Sequence, residues 1–541
     1  MNALEIARSL RADPTAAARY RAEGWWGDMT LSARIAELAC ERPDDAAYIT
    51  PDGRFGWAEY DRAASRVAAL LAAKDLPAGT RVAVMLPDGP AVHAALVGIE
   101  RAGLVAVGIG ARAGAAEVAH LVRRTGAALL ICHDMLRDRH AEALIAEIVS
   151  LGAPRPELLI LPDLIMDRDW NNGPHPAHLP LLAPDPDALF LINSTSGTTG
   201  MPKCVMHTQN RWFCFSKLAA EAGRFATDER FMGAVPAPFG FGLWTAHFSP
   251  TIQGCPTILL PRFDAGTALD LIERERVTVL CCVSTQFIML LNEQAERPRD
   301  LSSLRSMFTG GEAVPYRRAA EFEEVTGAAV LQFYGSNETG ALSRTTASDS
   351  RDRRLTTAGR IIPEMEVRLL EPATGAETAG RGQPACKGPA TCLGYWDDDA
   401  ANAKLFTPDG WMLMGDIVEV DEDEYLRVVG RTSEFIIRGG KNLSAPAIEA
   451  EVATHPGVAL CAAIAAPDPV FGERVCIYVT PRPDHAPTLA DITAHLAARG
   501  VTREWFPEYL VTMDDLPRSS GGKIAKGELA EDAKRRWMVP E

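Results

Sequence analysis

Residues 194–203 read STSGTTGMPK and follow the apolar run Ala188-Leu189-Phe190-Leu191-Ile192. That order predicts a buried strand ending in a flexible polar loop. Two glycines free the backbone to turn N–H groups inward, the serines and threonines donate hydrogen bonds, and Lys203 supplies one mobile cation. Such a loop suits phosphate oxygens. The plain alternative is a surface Ser/Gly linker, against which stand the strand before it and the Pro-Lys pair after it. The Walker pattern fails on spacing. It needs Gly-Lys followed by Ser or Thr, whereas Met201 and Pro202 separate Gly200 from Lys203, and Cys204 follows.

Length and charge narrow the rest. A chain of 541 residues exceeds what one core usually supports, so at least two domains are expected. Its 55 basic against 71 acidic residues leave a net charge of −16, which argues against a nucleic-acid partner. The eleven cysteines show no C-x-x-C spacing and read as reduced core thiols. The N-terminus carries acids and arginines where a secretory apolar region would lie, and no apolar stretch is long enough to span a bilayer. The expectation is a cytoplasmic protein with no membrane span.

Along the chain, residues 1 to about 45 read as a polar helical lead-in anchored by Trp25-Trp26, Leu31, Ile35 and Leu38. From Arg81 a strand, a helix near 91–102, a strand at 104–107, a helix near 115–125 and a strand at 127–132 make a βαβαβ unit and a parallel sheet. A second such unit spans 277–333. Gly108, Gly110 and Gly114 miss the dinucleotide spacing by one residue. His133 and His140, set among charges, read as a solvated helix face and not a metal site. Residues 168–187 read as a surface crossing. After about Gly410 the texture shifts to short β-like runs and then to a final segment with its own alternating elements.

Taken together, the STSGTTGMPK loop and the stretches below closely resemble the signatures of the adenylate-forming superfamily. That superfamily comprises acyl-CoA synthetases, stand-alone aryl-acid adenylating enzymes, peptide-synthetase adenylation domains and luciferases. The resemblance implies an α/β fold: a large N-terminal domain over 1–432 with two α/β sheets and a small β-barrel-like subdomain. A small mobile α+β domain over 433–541 would carry the catalytic lysine. The loop residues Thr195, Ser196, Gly197, Thr198, Thr199, Gly200 and Lys203 would bind ATP phosphates.

Further stretches match in order, and that order is more specific than any one of them. Gly310-Gly311-Glu312 ends a strand and would border the adenine, with Gly311 and Glu312 on the nucleotide. In Tyr334-Gly335-Ser336-Asn337-Glu338-Thr339-Gly340, the resemblance lays Tyr334 and Gly335 against adenine and acyl group and gives Glu338 a Mg²⁺ ion. Asn337 stands where the family usually has Thr. Asp416 would accept the ribose hydroxyls, Arg431 would contact ribose or phosphate, and Ser433 falls on the hinge, where Asp or Lys is commoner. Gly439, Gly440 and Lys441 resemble the loop lining the path of a thiol. Lys523, on a glycine-rich turn near the C-terminus, matches the family's adenylation lysine. It would bridge the attacking carboxylate and the α-phosphate as charge builds between them.

The implied reaction has two steps. A carboxylate attacks the α-phosphate of MgATP to give acyl-AMP and pyrophosphate; the small domain rotates; a thiol then displaces AMP. The acid would meet Phe239, Gly240, Phe241 and Gly335. Amino-acid-activating relatives place an Asp at the position of Gly240, and a buried ammonium without a partner is costly, so an amino acid is not expected. An alicyclic, aromatic or medium-size apolar acid is expected, with resemblance to ligases such as cyclohexanecarboxylate-CoA ligase. The thiol is CoA or, in an aryl-acid adenylating enzyme, the pantetheine of a carrier protein. A non-catalytic adenylate-binding scaffold is the remaining alternative, and the retention of Lys523, Glu338, Asp416 and Arg431 speaks against it.

Overall fold

The computed structural model describes residues 12–136, 139–165, 167, 170, 185–194, 201–311, 314–431, 435–438, 441–518 and 524–537. Strand Arg81–Met85 shows how the first sheet is built. Val82 and Val84 enter one core while Ala83 and Met85 enter another, the two-residue alternation of a strand covered on both faces. It pairs in parallel with Val105–Gly108 and Leu129–Cys132. Helices Pro90–Arg101 and Ala115–Thr125 form the crossovers, as the first βαβαβ reading expects. Leu191–Ser194 joins alongside Val105–Gly108 and turns back into antiparallel Cys204–His207, with Ser194 and Cys204 as register partners. The glycine-rich stretch thus falls in sequence between two antiparallel strands at the edge of this sheet, whereas a Walker loop is followed by a helix.

The second sheet has nine strands among the described residues. It contains Val279–Cys281, Ser306–Gly310 and Ala329–Ser336 in parallel, crossed by Ser284–Glu296 and Tyr316–Thr326. Its inward residues Val279, Phe308 and Leu331 share one core with Val82 and Val84 of the first sheet and with helices Trp57–Ala72, Pro90–Arg101 and Gln209–Gly223. Its outward residues Leu280, Met307 and Val330 meet the helices of the far face. Helices thus lie between the two sheets and outside each. The middle layer is buried: Trp57, Tyr60, Val67 and Val92 are at most 1% exposed, and burying an aliphatic side chain such as Val67 or Val92 contributes roughly 1.5–3 kcal/mol of transfer free energy. In the lead-in, Leu31, Ile35 and Leu38 pack into this same core from helix Leu31–Glu41.

A third, antiparallel sheet holds Glu366–Leu370, Arg381–Lys387, Asp416–Val420 and Leu426–Arg431. Farther on, Val458–Asp468 and Gly472–Pro481 form a long antiparallel pair flanked by Phe435–Arg438 and Tyr509–Thr512. Its two buried cores contain residues from Ile436 onward only. The domain boundary read near 432–433 and most of the crossing at 168–187 lie outside the described residues. Among the described residues no helix is long and apolar enough to cross a membrane.

Three local expectations need correction. The segment holding His133 and His140 is a hairpin, Met135–Leu136 against Arg139–His140, and not a helix face. The Ala141 N–H donates to the Asp134 carbonyl and closes its base, so the next helix starts only at Ala141. Tyr334 to Ser336, placed after a strand ending at 333, continue that strand because Gly340–Arg344 pairs back on them. All eleven cysteines are free thiols, but Cys40 is exposed and Cys461 half-buried, so the core reading holds for the other nine.

Candidate active site

Strand ends of the two sheets open onto one cavity of about 590 Å³. Lys203, Gly311, Tyr334, Gly335, Asn337, Glu338 and Asp416 all line it, together with Phe239, Gly240 and Phe241. Residues scattered over more than two hundred positions of sequence thus share one wall. Thr195, Ser196, Gly197, Thr198, Thr199, Gly200, Glu312, Ser433, Gly439, Gly440 and Lys523 lie outside the described residues. Lys441 opens the strand Lys441–Ser444.

Two carboxylates are fixed by phenols from distant segments. The Tyr334 hydroxyl donates to Asp416 Oδ2 at 2.9 Å, and Asp416 opens strand Asp416–Val420 opposite Arg431, its register partner. The Tyr395 hydroxyl donates to Glu338 Oε1 at 2.6 Å, and the Lys203 ammonium sits 4.7 Å from the centroid of the same ring. Burial first, and the Glu338 charge second, push the Tyr395 hydroxyl well above its ordinary pKa, so it stays a donor. The Cys392 N–H also donates to the Glu338 carbonyl at 2.8 Å, so one short segment holds this residue twice.

From strand Cys204–His207 into helix Gln209–Gly223 runs a polar relay that the sequence reading missed. Burial and the Arg211 charge hold the His207 imidazole well below its usual pKa, leaving the ring neutral. Its Nδ1 accepts from the Arg211 guanidinium at 2.5 Å, so Nε2–H donates to Asn193 Oδ1 at 2.6 Å. Asn337 Nδ2 donates to the same Asn193 oxygen at 2.6 Å. Arg211 also donates to the carbonyls of Ala390 and Asn337, both at 2.9 Å. Burial lowers its pKa only to about 10, so a positive charge is kept inside the wall at neutral pH. The available signal was a charged residue beside the aromatic pair Trp212-Phe213, four positions after a histidine; the strand ends at His207 and helix Gln209–Gly223 starts just after it, which brings Arg211 back over the ring. Tyr395 had no local signal; only its contact with Glu338 marks it.

The opposite end is aromatic. Phe241 and Phe215 meet the Trp244 ring edge to face, with centroids 5.3 and 4.9 Å away, and Phe333 lies 5.0 Å from Phe215. Here Gly240 is forced by its neighbours: a Cβ on it would sit 2.5 Å from Asn337 Oδ1 and 3.6 Å from Trp212 Cη2. Gly335 is tighter still, since a Cβ would come within 1.7 Å of the Gly340 carbonyl where the two strands slip register. The arrangement offers a cationic and carboxylate-bearing end for a nucleotide and an apolar ring-lined end for a second reactant.

The chain is similar to known proteins over most of its length. The family model described as AMP-binding enzyme matches residues 35–396, and the one described as AMP-binding enzyme C-terminal domain matches 447–523. The medium-chain fatty-acid–CoA ligase of Escherichia coli strain K12 is 28% identical over 536 residues, covering 96% of this chain and 93% of its own. A feruloyl-CoA synthase of Amycolatopsis sp is 33% identical over 486 residues, covering 87% and 93%. Among solved structures, ATP-bound MatB from Rhodopseudomonas palustris superposes with a TM-score of 0.81 at 27% identity, over 94% of this chain and all of that one. With the first model spanning well over half of its length, the chain belongs to the AMP-binding enzyme family.

Proposed function

We propose that this protein is an AMP-forming acid–thiol ligase that activates a carboxylic acid with ATP and passes the acyl group to CoA. The observation that carries the reading is the single cavity: Lys203, the Tyr395-held Glu338 and the Tyr334–Asp416 pair stand at one end, the ring-lined wall at the other. The relatives' names as CoA ligases support it.

In the first step a carboxylate oxygen bonds to the α-phosphorus of ATP and the bond from that phosphorus to the bridging oxygen breaks, releasing pyrophosphate. Thr195 to Gly200 and Lys203 hold the β- and γ-phosphates, and Asp416 with Arg431 orients the ribose. Lys523 meets the charge that develops at the α-phosphate. A carboxylate beside phosphate oxygens fits Mg²⁺, which takes one or two protein carboxylates and completes its shell with phosphate and water. Glu338 would hold it, and the ion would neutralise phosphate charge. In the second step the thiol sulfur bonds to the acyl carbon, the C–O bond to AMP breaks, and the thiol proton leaves to solvent. Gly439, Gly440 and Lys441 line the route of the thiol. The separate cores after Ile436 support a boundary at 432–433 and a rotation about Ser433 between the steps. Free thiols throughout fit a reducing cytoplasm.

Mass spectrometry of thioesters formed from a mixed pool of cyclic, aromatic and linear acids with MgATP and CoA tests this reading. An acyl-CoA that forms with wild type and not with Lys523→Ala supports it. Accumulation of acyl-AMP alone moves the acceptor to a carrier-protein pantetheine, and no ATP-dependent product from any acid overturns it.

A further inference from the structure

The ring-lined end of the cavity contains a polar group that the protein leaves without a partner. Trp244 belongs to the π-helical turn Leu243–Phe248, a geometry that concentrates at functional sites. It lines the cavity and is 3% exposed, and its indole Nε1–H has no acceptor among the described residues. Phe215, Phe241, Phe308 and Phe333 pack around it with centroids 4.9 to 5.4 Å away, and none of them carries a lone pair. A buried indole N–H ordinarily finds an acceptor, and an orphaned donor keeps its full desolvation cost. Trp212 also lines the cavity with an unpaired N–H. Its six-membered-ring edge, at Cη2, is what approaches Gly240, so Trp244 is the better candidate.

We infer that the acid taken here is a ring-bearing carboxylate carrying an acceptor oxygen, as a hydroxyl, ether or carbonyl substituent, and that the Trp244 indole N–H donates to that oxygen. This rests on the reading of the ring-lined end as the acyl site. The edge-to-face box of Phe215, Phe241 and Trp244 accepts a planar ring with attraction beyond area burial alone. A linear alkyl acid fills the same space and leaves the donor orphaned.

The test compares full-length enzyme on matched acids, with MgATP and CoA: benzoate against its hydroxy and methoxy derivatives, cinnamate against 4-hydroxycinnamate, and octanoate. The readouts are kcat/KM for acyl-CoA and the rate of pyrophosphate release. Wild type should favour the oxygenated member of at least one pair by about tenfold or more, the worth of one well-placed hydrogen bond. Trp244→Phe, which keeps a ring and removes the donor, should shrink that ratio towards one through a raised KM for the oxygenated acid. A wild type that prefers octanoate or the unsubstituted rings overturns the inference without any variant. So does a preference that survives in Trp244→Phe, because the substrate oxygen is then recognised by a group other than the indole N–H. Pyrophosphate release with no acid at all fails the function reading itself, and is thereby distinguished from a wrong substrate class.

Discussion

Tyr395 donates its hydroxyl hydrogen to Glu338 Oε1 over 2.6 Å, although the two residues are 57 positions apart in sequence. The same ring lies under the Lys203 ammonium. One phenol therefore touches both the carboxylate proposed to hold Mg²⁺ and the lysine proposed to hold phosphate. Outer partners of metal-holding groups typically matter by about 10–100-fold. Tyr395→Phe should lower ATP-dependent pyrophosphate release by about that factor and raise the Mg²⁺ concentration needed for half-maximal rate. An unchanged Mg²⁺ dependence would separate Tyr395 from the metal site.

Lys523→Ala should cut acyl-adenylate formation by on the order of a hundredfold or more, as for other electrostatic donors at a developing charge. Binding of ATP, followed by calorimetry, should change little, and conversion of supplied acyl-AMP to thioester should persist. Equal loss in both half-reactions would show that Lys523 does not act on the first step alone.

Gly240→Asp restores the residue type used by amino-acid-activating relatives, yet it should not confer amino-acid activation. Its Cβ would sit 2.5 Å from Asn337 Oδ1, and Asn337 shares Asn193 with the His207–Arg211 relay. Displacing a positioning group by about 1 Å can cost on the order of a hundredfold in rate. Pyrophosphate release should therefore fall with every acid offered. Release driven by any amino acid would contradict this account of the wall.

Asp88 makes stability pH-dependent in an unusual direction. It is buried, accepts from the Ala237 N–H at 3.3 Å, and lies 3.8 Å from His93 Nε2, whose ring bonds His247 at 3.0 Å. Burial pushes its carboxyl up to about 8. An acid whose folded pKa is raised stabilises the fold below its unfolded pKa, near 4, and loses that contribution as pH rises to about 8. Burial holds His93 well below its usual pKa and His247 at about 3, so these two act oppositely, and only below about pH 6.5. Between pH 6.5 and 8 the melting temperature of wild type should fall relative to Asp88→Asn. Parallel curves over that window would mean that Asp88 is already ionised in the fold.

Some of this was legible in the linear order of residues. Helices Ala115–Thr125 and Tyr316–Thr326 are where the apolar spacing puts them, each ended by a glycine in the left-handed region, Gly126 and Gly327. Strands were legible as apolar runs, but not in their extent. Tyr334–Ser336 became strand only because Gly340–Arg344 pairs with it, and period alone cannot see a partner. The glycine-rich loop, Glu338 and Asp416 stood out because their chemistry lies in contiguous motifs.

What sequence by itself determined was therefore local: which residue types bear charge, where the backbone must be free, and which runs alternate with the period of a strand or helix. Tertiary structure decided the pairings. It joined Tyr334 to Asp416 across 82 positions and Tyr395 to Glu338 across 57. It also buried Arg211 against His207, whose ring reaches Asn193, and left the Trp244 indole N–H without an acceptor among the described residues. The physical reason is that hydrogen bonding and desolvation depend on distance in space. A phenol, an asparagine or an indole has no assigned partner until the sheets bring the strand ends together.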